Sequence, residues 1–169
     1  MKESEGIIRL IVKYRRSIVE FKFLDFYVIK GDEIDLHLIK TVPGNKNEKW
    51  VPAYHFNISL SGSSEPIGKI DIRIGYNENL YYGGNIGYEV NETYRGNHYA
   101  AKATLLLREV ATAHKMEKLI ITCNPDNIAS RKTCEYVGAN LLEIVNVPEH
   151  NDMYQRGEKE KCIYEWMLC

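Results

Sequence analysis

The fold is decided by one stretch, Gly84-Asn85-Ile86-Gly87-Tyr88-Glu89-Val90-Asn91-Glu92-Thr93-Tyr94-Arg95-Gly96-Asn97-His98-Tyr99-Ala100-Ala101-Lys102-Ala103. Ile86 to Val90 alternates large and small residues and ends with a β-branched side chain, which predicts a strand. Ala100 to His114 contains no Gly or Pro and repeats small and apolar residues at helical spacing, which predicts an amphipathic helix. The unit is therefore a strand, a short polar turn and a helix.

The turn between this strand and this helix has the composition of a phosphate site. The first turn of a helix leaves backbone N–H groups without partners, and the helix dipole places partial positive charge there. Successive N–H groups of this kind can surround a phosphate, and Arg95 could add a bidentate contact. An ordinary connection with a solvated Arg95 is the alternative, because glycine-containing turns are weakly specific.

The run Tyr94–Ala100 resembles the acetyl-CoA pyrophosphate loop of the GNAT N-acetyltransferase superfamily. Arg95 and Ala100 match the family pattern, whereas His98 stands where the family usually has its middle glycine. A second run, Ile120–Arg131 and on to Gly138, is similar to the family's fifth strand and the helix after it. The resemblance spans Ile34 to Met167 and is nearest to the branch that contains ribosomal-protein N-terminal acetylases.

The alternating patterns and the resemblance together predict an α/β (α+β) fold. It is one mixed, mostly antiparallel sheet with helices on both faces and a central splay between the fourth and fifth strands, Ile86–Val90 and Leu119–Cys123. Strands are also predicted at Ile34–Lys40, Tyr54–Leu60, Ile67–Ile74, Leu141–Val147 and Lys161–Met167. Tyr76–Gly84 and Glu149–Lys161 are predicted to be loops.

Two segments are expected along the chain. Residues 31–169 form the GNAT-like domain, and residues 1–30 form an N-terminal apolar arm or helix packed on it. An exposed apolar arm could instead dock on another copy of the chain, which would give a homodimer.

The resemblance implies acetyl-CoA as the cosubstrate and supplies a set of cofactor-binding residues. Backbone N–H groups near Val90 would face the thioester carbonyl, and the turn would hold the pyrophosphate. The residues implied in cofactor binding are Val90, Asn91, Arg95, Gly96, Asn97, His98, Tyr99, Ala100, Ala101, Asn127, Ser130 and Lys132.

Three residues are candidates for the proton transfers of acetyl transfer. Glu89 is the candidate base, with a surface or salt-bridged glutamate as the alternative. The family often has a tyrosine as acid where this sequence has Cys134, so the acid is Cys134, Ser130 or a water molecule. A packed core thiol is the alternative role for Cys134.

The resemblance implies direct transfer of an acetyl group to a primary amine in a ternary complex. The acceptor would be a small molecule or a protein N-terminus. The predicted acceptor pocket combines aromatic and charged residues that would suit a cationic amine, namely Trp50, Tyr54, Tyr81, Tyr82, Glu149, His150, Asp152 and Tyr154. A non-catalytic acyl-CoA-binding or regulatory domain is the competing interpretation.

Composition excludes several other classes of function. The 169 residues are 44% hydrophobic and carry a net charge of −1, which favours one globular domain and gives no indication of a nucleic-acid partner. No apolar run is long enough for a membrane span, and the charged N-terminus does not resemble a secretory signal. Four widely spaced cysteines lack metal-site spacing, so we expect reduced thiols in a cytoplasmic protein without a bound metal.

Overall fold

The computed structural model describes residues 20–169, and its first half is a five-stranded antiparallel sheet in chain order. Each strand pairs with the next one along the chain, as antiparallel neighbours can, and the connection from Arg73 to Ile86 includes a short helix. Apolar side chains alternate along the strands and face the core. The strands are β1 (Val28–Lys30), β2 (Ile34–Val42), β3 (Ala53–Leu60), β4 (Pro66–Arg73) and β5 (Ile86–Val90).

The second half is a three-stranded antiparallel sheet with the order β6-β8-β7. These strands are β6 (Lys118–Cys123), β7 (Asn140–Asn146) and β8 (Glu160–Met167). β6 is the most apolar of the three and lies beside β5.

The two sheets meet at Asn85, directly before β5. The Asn85 N–H donates to the Ile120 carbonyl at 2.6 Å, and the Asn85 side-chain oxygen accepts from the Ile120 N–H at 2.8 Å. Beyond this point no strand ladder joins β5 to β6 in the described residues. The strands therefore separate toward Val90 and Cys123, which confirms the predicted splay and fold class.

Within residues 20–169 the sheets are covered by the helices α1 (Glu78–Gly83), α2 (Tyr99–Ala113), α3 (Ile128–Tyr136) and α4 (Asp152–Gln155). α2 covers one face, where the guanidinium of Arg108 on α2 lies over the ring of Trp166 on β8, 5.1 Å from the ring centroid. α1 lies on the opposite face, where Leu80 and Ile120 border a cavity of about 280 Å³. No helix among residues 20–169 is long and apolar enough to cross a membrane.

Two of these helices lie in regions that the sequence predicted as loops. Asn77 caps α1 by accepting from the Leu80 N–H at 2.9 Å, and Asn151 caps α4 by accepting from the Met153 N–H at 2.9 Å. Each cap is followed by an acidic residue, which stabilises the positive end of the helix dipole. The loop prediction was wrong there because both helices are too short to show a periodic pattern.

Residues 20–30 lie along the core as an extended segment that ends in β1. The Phe21 ring stacks on His114, and the Phe23 ring packs edge-on against Tyr54. The Leu24 N–H donates to the Tyr54 hydroxyl at 2.7 Å. An arm or helix was predicted for residues 1–30. The part of that prediction that concerns residues 1–19 lies outside the described residues.

Candidate active site

A cavity of about 870 Å³ opens at the splay between β5 and β6. Gly87 and Tyr88 are successive residues of β5 and point to opposite faces of the sheet, yet both line this cavity. The cavity therefore borders residues on both faces of the sheet at the opening between β5 and β6. Its two ends are called here the Tyr88 side, next to α3, and the Gly87 side, which Arg73 and Trp50 also line.

The Tyr88 side contains a pair of hydroxyl groups. The Tyr88 hydroxyl lies 2.6 Å from Oγ of Ser130, the third residue of α3. Burial raises the pKa of Tyr88 well above its usual value, so the phenol stays protonated at neutral pH. The pair can therefore supply a proton inside the cavity.

Cys134 lies behind this pair and is fully buried. It does not line the cavity, whereas Cys123 of β6 does. A hydrogen bond with Cys123 and burial both raise the pKa of Cys134, so its thiol keeps its proton. Cys134 has the surroundings of a packed core thiol.

The N-terminus of α3 is formed as its sequence predicts. Asn127 caps the helix, because its side-chain oxygen accepts from the Ser130 N–H at 3.0 Å. Asn127 and Ser130 both line the cavity, whereas Lys132 is exposed on another side of α3. The helix ends before Gly138, whose φ of 81° permits the expected left-handed turn.

The turn before α2 has the backbone geometry of an anion-binding site. Gly96 and His98 both have positive φ, 86° and 58°, on either side of Asn97. Alternation of this kind turns successive N–H groups toward one side. The first helical bond runs from the Lys102 N–H to the His98 carbonyl at 2.9 Å, so the N–H groups before it precede the helical ladder.

Side chains hold this turn in place. Arg95 donates from Nε to the Val90 carbonyl at 3.0 Å, and the His98 ring stacks on Tyr136 with centroids 4.9 Å apart. These contacts leave Arg95 and the backbone N–H groups at the surface, since residues 95–98 are exposed. The turn fits the phosphate groups of a nucleotide cofactor through its main chain.

The Gly87 side is charged. Arg73 Nη2 lies 3.0 Å from Asp71 Oδ2, and Arg73 Nη1 donates to the Gly84 carbonyl at 3.0 Å. Burial raises the pKa of Asp71 and lowers the pKa of the neighbouring His55. Both shifts favour the uncharged forms of these side chains.

The outer wall of the cavity comes from the segment before β8. Lys161 is buried, donates to Asn124 Oδ1 at 2.8 Å and forms an ion pair with Glu158. The hydrogen bond and the charge of Lys161 lower the pKa of Glu158. This wall is therefore a fixed polar surface rather than the free loop that the sequence predicted.

The predicted acceptor residues fall into three groups. Trp50, His150 and Asp152 line the cavity. Tyr54 is fully buried in the core, where its hydroxyl lies 2.7 Å from Nε2 of His114, so it does not reach the cavity. Tyr81, Tyr82, Glu149 and Tyr154 lie outside the lining.

Glu89 is not part of the cavity wall. Its side chain is 69% exposed and lies 3.8 Å from Lys69, which is 71% exposed. This is the salt-bridged surface position that the sequence left open as the alternative. Its role as a base remains a prediction.

Sequence reasoning missed Tyr88, Asp71 and Arg73. This chain has Cys134 where the family often has a tyrosine, and a tyrosine hydroxyl reaches Ser130 from β5 instead, at Tyr88. The signal was the position of Tyr88 beside Glu89 in the central strand. Asp71 and Arg73 gave no signal of their own, because charged residues on alternating strand positions are common on solvated faces.

Among residues 20–169, no three or more His, Cys, Asp or Glu side chains are grouped so that they could hold a metal ion. The cysteines described as free are Cys123, Cys134, Cys162 and Cys169, and the first three are buried.

Comparison with known proteins gives a family and a fold. The family described as "Acetyltransferase (GNAT) domain" matches residues 31–140, more than half of the chain. A relative, the uncharacterized N-acetyltransferase YnaD of Bacillus subtilis (strain 168), is 27% identical over 141 residues, and the match covers 76% of this chain and 81% of that protein.

Two solved structures have the same fold. The structure of a putative ribosomal-protein-serine acetyltransferase from Vibrio cholerae has a TM-score of 0.60 and 17% identity, and the match covers 83% of this chain and 97% of that one. The microcin C7 self-immunity acetyltransferase MccE, in complex with acetyl-CoA and AMP, has a TM-score of 0.54 and 22% identity over 73% of this chain. That match spans 63% of MccE, less than two thirds of its length. The chain belongs to the GNAT family of acetyltransferases.

Proposed function

We propose that this protein transfers the acetyl group of acetyl-CoA to a primary amine in a ternary complex. The observation that carries the proposal is the cavity at the splay, which borders residues on both faces of the sheet. A cavity with two ends lets a thioester and an amine approach each other from opposite faces. Direct transfer needs this arrangement, because both reactants must be bound and aligned at once.

Acetyl-CoA would be held largely by main-chain groups. The turn before α2 offers backbone N–H groups and Arg95 to the phosphates, and the end of β5 offers the Val90 N–H, whereas the Asn91 N–H already donates to the Ile67 carbonyl at 2.8 Å. Asn127 and Ser130 line the cavity, whereas Val90 and the turn before α2 lie outside its lining. The full proposed set is Val90, Asn91, Arg95, Gly96, Asn97, His98, Tyr99, Ala100, Ala101, Asn127, Ser130 and Lys132.

Acetyl-CoA supplies an activated acetyl group, and its sulfur needs a proton when that group leaves. We assign this proton to Ser130, whose Oγ is hydrogen-bonded to the Tyr88 hydroxyl. The elevated pKa of Tyr88 keeps a proton available in the pair. Cys134 is a weaker candidate because its thiol is fully buried away from the cavity.

The acceptor would enter from the Gly87 side. Trp50, Arg73 and Asp152 line the cavity, so it offers both an aromatic surface and charges of each sign. A cationic amine that also carries a polar or anionic group would fit such a lining. Small amines and protein N-termini both belong to this chemical class.

Two measurements on the purified full chain test the proposal. Calorimetric titration with acetyl-CoA, with free CoA and adenosine 3′,5′-bisphosphate alongside, measures whether the cofactor binds and whether its pantetheine arm contributes. Release of CoA thiol is then followed with acetyl-CoA and a panel of amines that includes polyamines, aminosugars, amino acids and a short peptide with a free N-terminus.

Binding of acetyl-CoA together with turnover of a panel amine supports the proposal. Binding without turnover on any amine would favour the non-catalytic acyl-CoA-binding domain. No binding at millimolar acetyl-CoA would overturn the assignment of the cofactor.

A further inference from the structure

Asp71 is not itself among the residues that line the cavity, but it is the neighbour of two residues that are, Gly87 and Arg73. In the strand register Asp71 faces Gly87 of β5 on one side and His55 of β3 on the other. A β-carbon on Gly87 would lie 2.8 Å from Asp71 Oδ1. Because residue 87 is a glycine, no side chain at this position of β5 covers Oδ1 of the carboxylate.

The hydrogen bonds of this carboxylate are incomplete. Oδ2 is buried and has no hydrogen-bond partner among the described residues. Arg73 Nη2 lies 3.0 Å from it, but the N–H groups of Arg73 are not aligned for a hydrogen bond, and Nη1 is directed to the Gly84 carbonyl. Buried carboxylates normally accept several hydrogen bonds, and an unsatisfied one costs free energy.

The unsatisfied oxygen, Oδ2, faces Arg73, so a further cationic ligand would contact the other oxygen, Oδ1, beside Gly87. An ammonium group is suited to that contact. It carries positive charge and three N–H donors, and a charge-assisted hydrogen bond to a carboxylate is stronger than one between neutral groups. The side chain of Asp71 is 19% exposed, so a donor can reach it while most of its surroundings remain dry. Arg73 approaches from the Oδ2 side and leaves Oδ1, the oxygen beneath Gly87, for a second partner.

We propose that Asp71 binds the ammonium group of the acceptor and takes one proton from it. The N–H bond of the ammonium breaks, an O–H bond forms on the carboxylate, and the electron pair left on nitrogen becomes the nucleophile for acetyl transfer. The neutral carboxylic acid later returns its proton to solvent. This inference rests on the proposed function, since it names the residue that recognises the amine in that reaction.

The groups around Asp71 are consistent with this role. Arg73 on β4 and His55 on β3 face it, Lys40 of β2 lies next to His55, and β5 contributes Gly87 without a side chain. Burial opposes the charge of Asp71 more than Arg73 and His55 favour it, so its pKa is raised toward that of an amine. A base with a raised pKa accepts a proton from an ammonium more readily.

The first test compares two amines in the wild-type protein and in Asp71→Asn. The probes are 2-phenylethylamine, which is an ammonium ion at neutral pH, and aniline, which is already uncharged. We expect kcat/KM for 2-phenylethylamine to fall by about 100-fold or more, because general-base catalysis contributes at least this much. The loss with aniline should be much smaller, and the Kd for acetyl-CoA should not change.

The matched control is Asp32→Asn, which makes the same change in an exposed turn between β1 and β2 and should leave both rates unchanged. Circular dichroism and the unfolding midpoint establish that Asp71→Asn is folded. Equal losses with the two amines, or no loss with either, would overturn the proposal. A merely structural role for Asp71 would lower both rates together.

The second test needs no turnover. Carbon-13 NMR of the aspartate carboxyl groups is recorded in wild-type protein titrated with n-butylammonium chloride, and Asp71 is assigned by its absence in Asp71→Asn. A saturable shift at Asp71, absent with n-butanol, supports the proposal, and no shift at Asp71 overturns it. Failure of acetyl-CoA to bind would reject the proposed function separately, because this titration contains no cofactor.

Discussion

The two sides of the cavity at β5 are built from different parts of the chain. The Tyr88 side consists of β5 and the helix that follows β6, and its main contact joins Tyr88 to Ser130. The Gly87 side combines side chains of β3 and β4 with the segment before β8. The first side depends on helix N-termini and short motifs, whereas the second depends on which strands become neighbours. Cofactor binding and acceptor binding can therefore be disturbed independently.

The largest expected effect is on the Tyr88 side. Ser130→Ala removes the hydroxyl that we assign as proton donor, so kcat should fall by about 10²–10⁴-fold, the range for general acid catalysis. Acetyl-CoA binding should weaken much less, because the Ser130 backbone N–H still bonds to Asn127. Steady-state kinetics and calorimetry measure the two effects. Ser64→Ala, an exposed serine, is the control, and an unchanged kcat in Ser130→Ala would contradict the assignment.

The next effect lies on the Gly87 side. Gly87→Val places a side chain next to Asp71 Oδ1 and Arg73 Nη2, which lie 2.8 and 3.3 Å from the new β-carbon. Acetyl transfer should fall by about 10²-fold, because displacement of a reactant by roughly 1 Å costs this much. The Kd for acetyl-CoA should stay within about threefold of the wild-type value, because substitutions at separate sites have nearly independent effects. Parallel loss of binding and transfer would show that the two sides are not independent.

A smaller effect is expected at the phosphate turn. Arg95→Ala removes a cation and its hydrogen bond to the Val90 carbonyl. KM for acetyl-CoA should rise by about tenfold, because a hydrogen bond to a charged group contributes about 1.5–3 kcal/mol and 1.4 kcal/mol is a factor of ten. The value of kcat at saturation should change little. A fall in kcat with unchanged KM would place Arg95 in the chemical step instead.

The smallest effect is a pH dependence of stability at the outer wall. Lys161 lowers the pKa of Glu158 in the folded state, so this pair stabilises the fold above the unfolded pKa of about 4.3. That contribution is lost as pH falls through the lowered pKa. Urea unfolding between neutral and acidic pH should therefore show Glu158→Gln less stable than wild type at pH 7, with a difference that shrinks toward acid. Glu160→Gln, at an exposed position, is the control, and a constant difference would contradict the pairing.

Much of the architecture was predictable because it depends on local patterns. The predicted strand Ile86–Val90 matches β5, and the predicted helix from Ala100 to His114 differs from α2 by one residue at each end. Both have periodic side chains and clear boundaries, since polar turns surround them. The short helices α1 and α4 have neither, so capping asparagines were their only signal.

The candidate site was predictable on one side only. Asn127 and Ser130 were found from a contiguous motif, and the structure places both in the cavity wall. Glu89 was selected because it precedes the end of β5, and it shares a face with Gly87, but it lies exposed beside Lys69 and outside the cavity lining. The sequence left open which face of β5 meets the cavity, because that depends on the separation of β5 from β6.

By itself, the sequence determined the family, the order of the main strands and helices, and the turn that would hold a cofactor. These features rest on interactions between residues close along the chain, such as helix caps, strand alternation and the free N–H groups before α2. Only the tertiary structure brought Tyr88 to Ser130 and placed Asp71 under Gly87. Those contacts depend on strand register and on the opening at Asn85, which long-range packing decides.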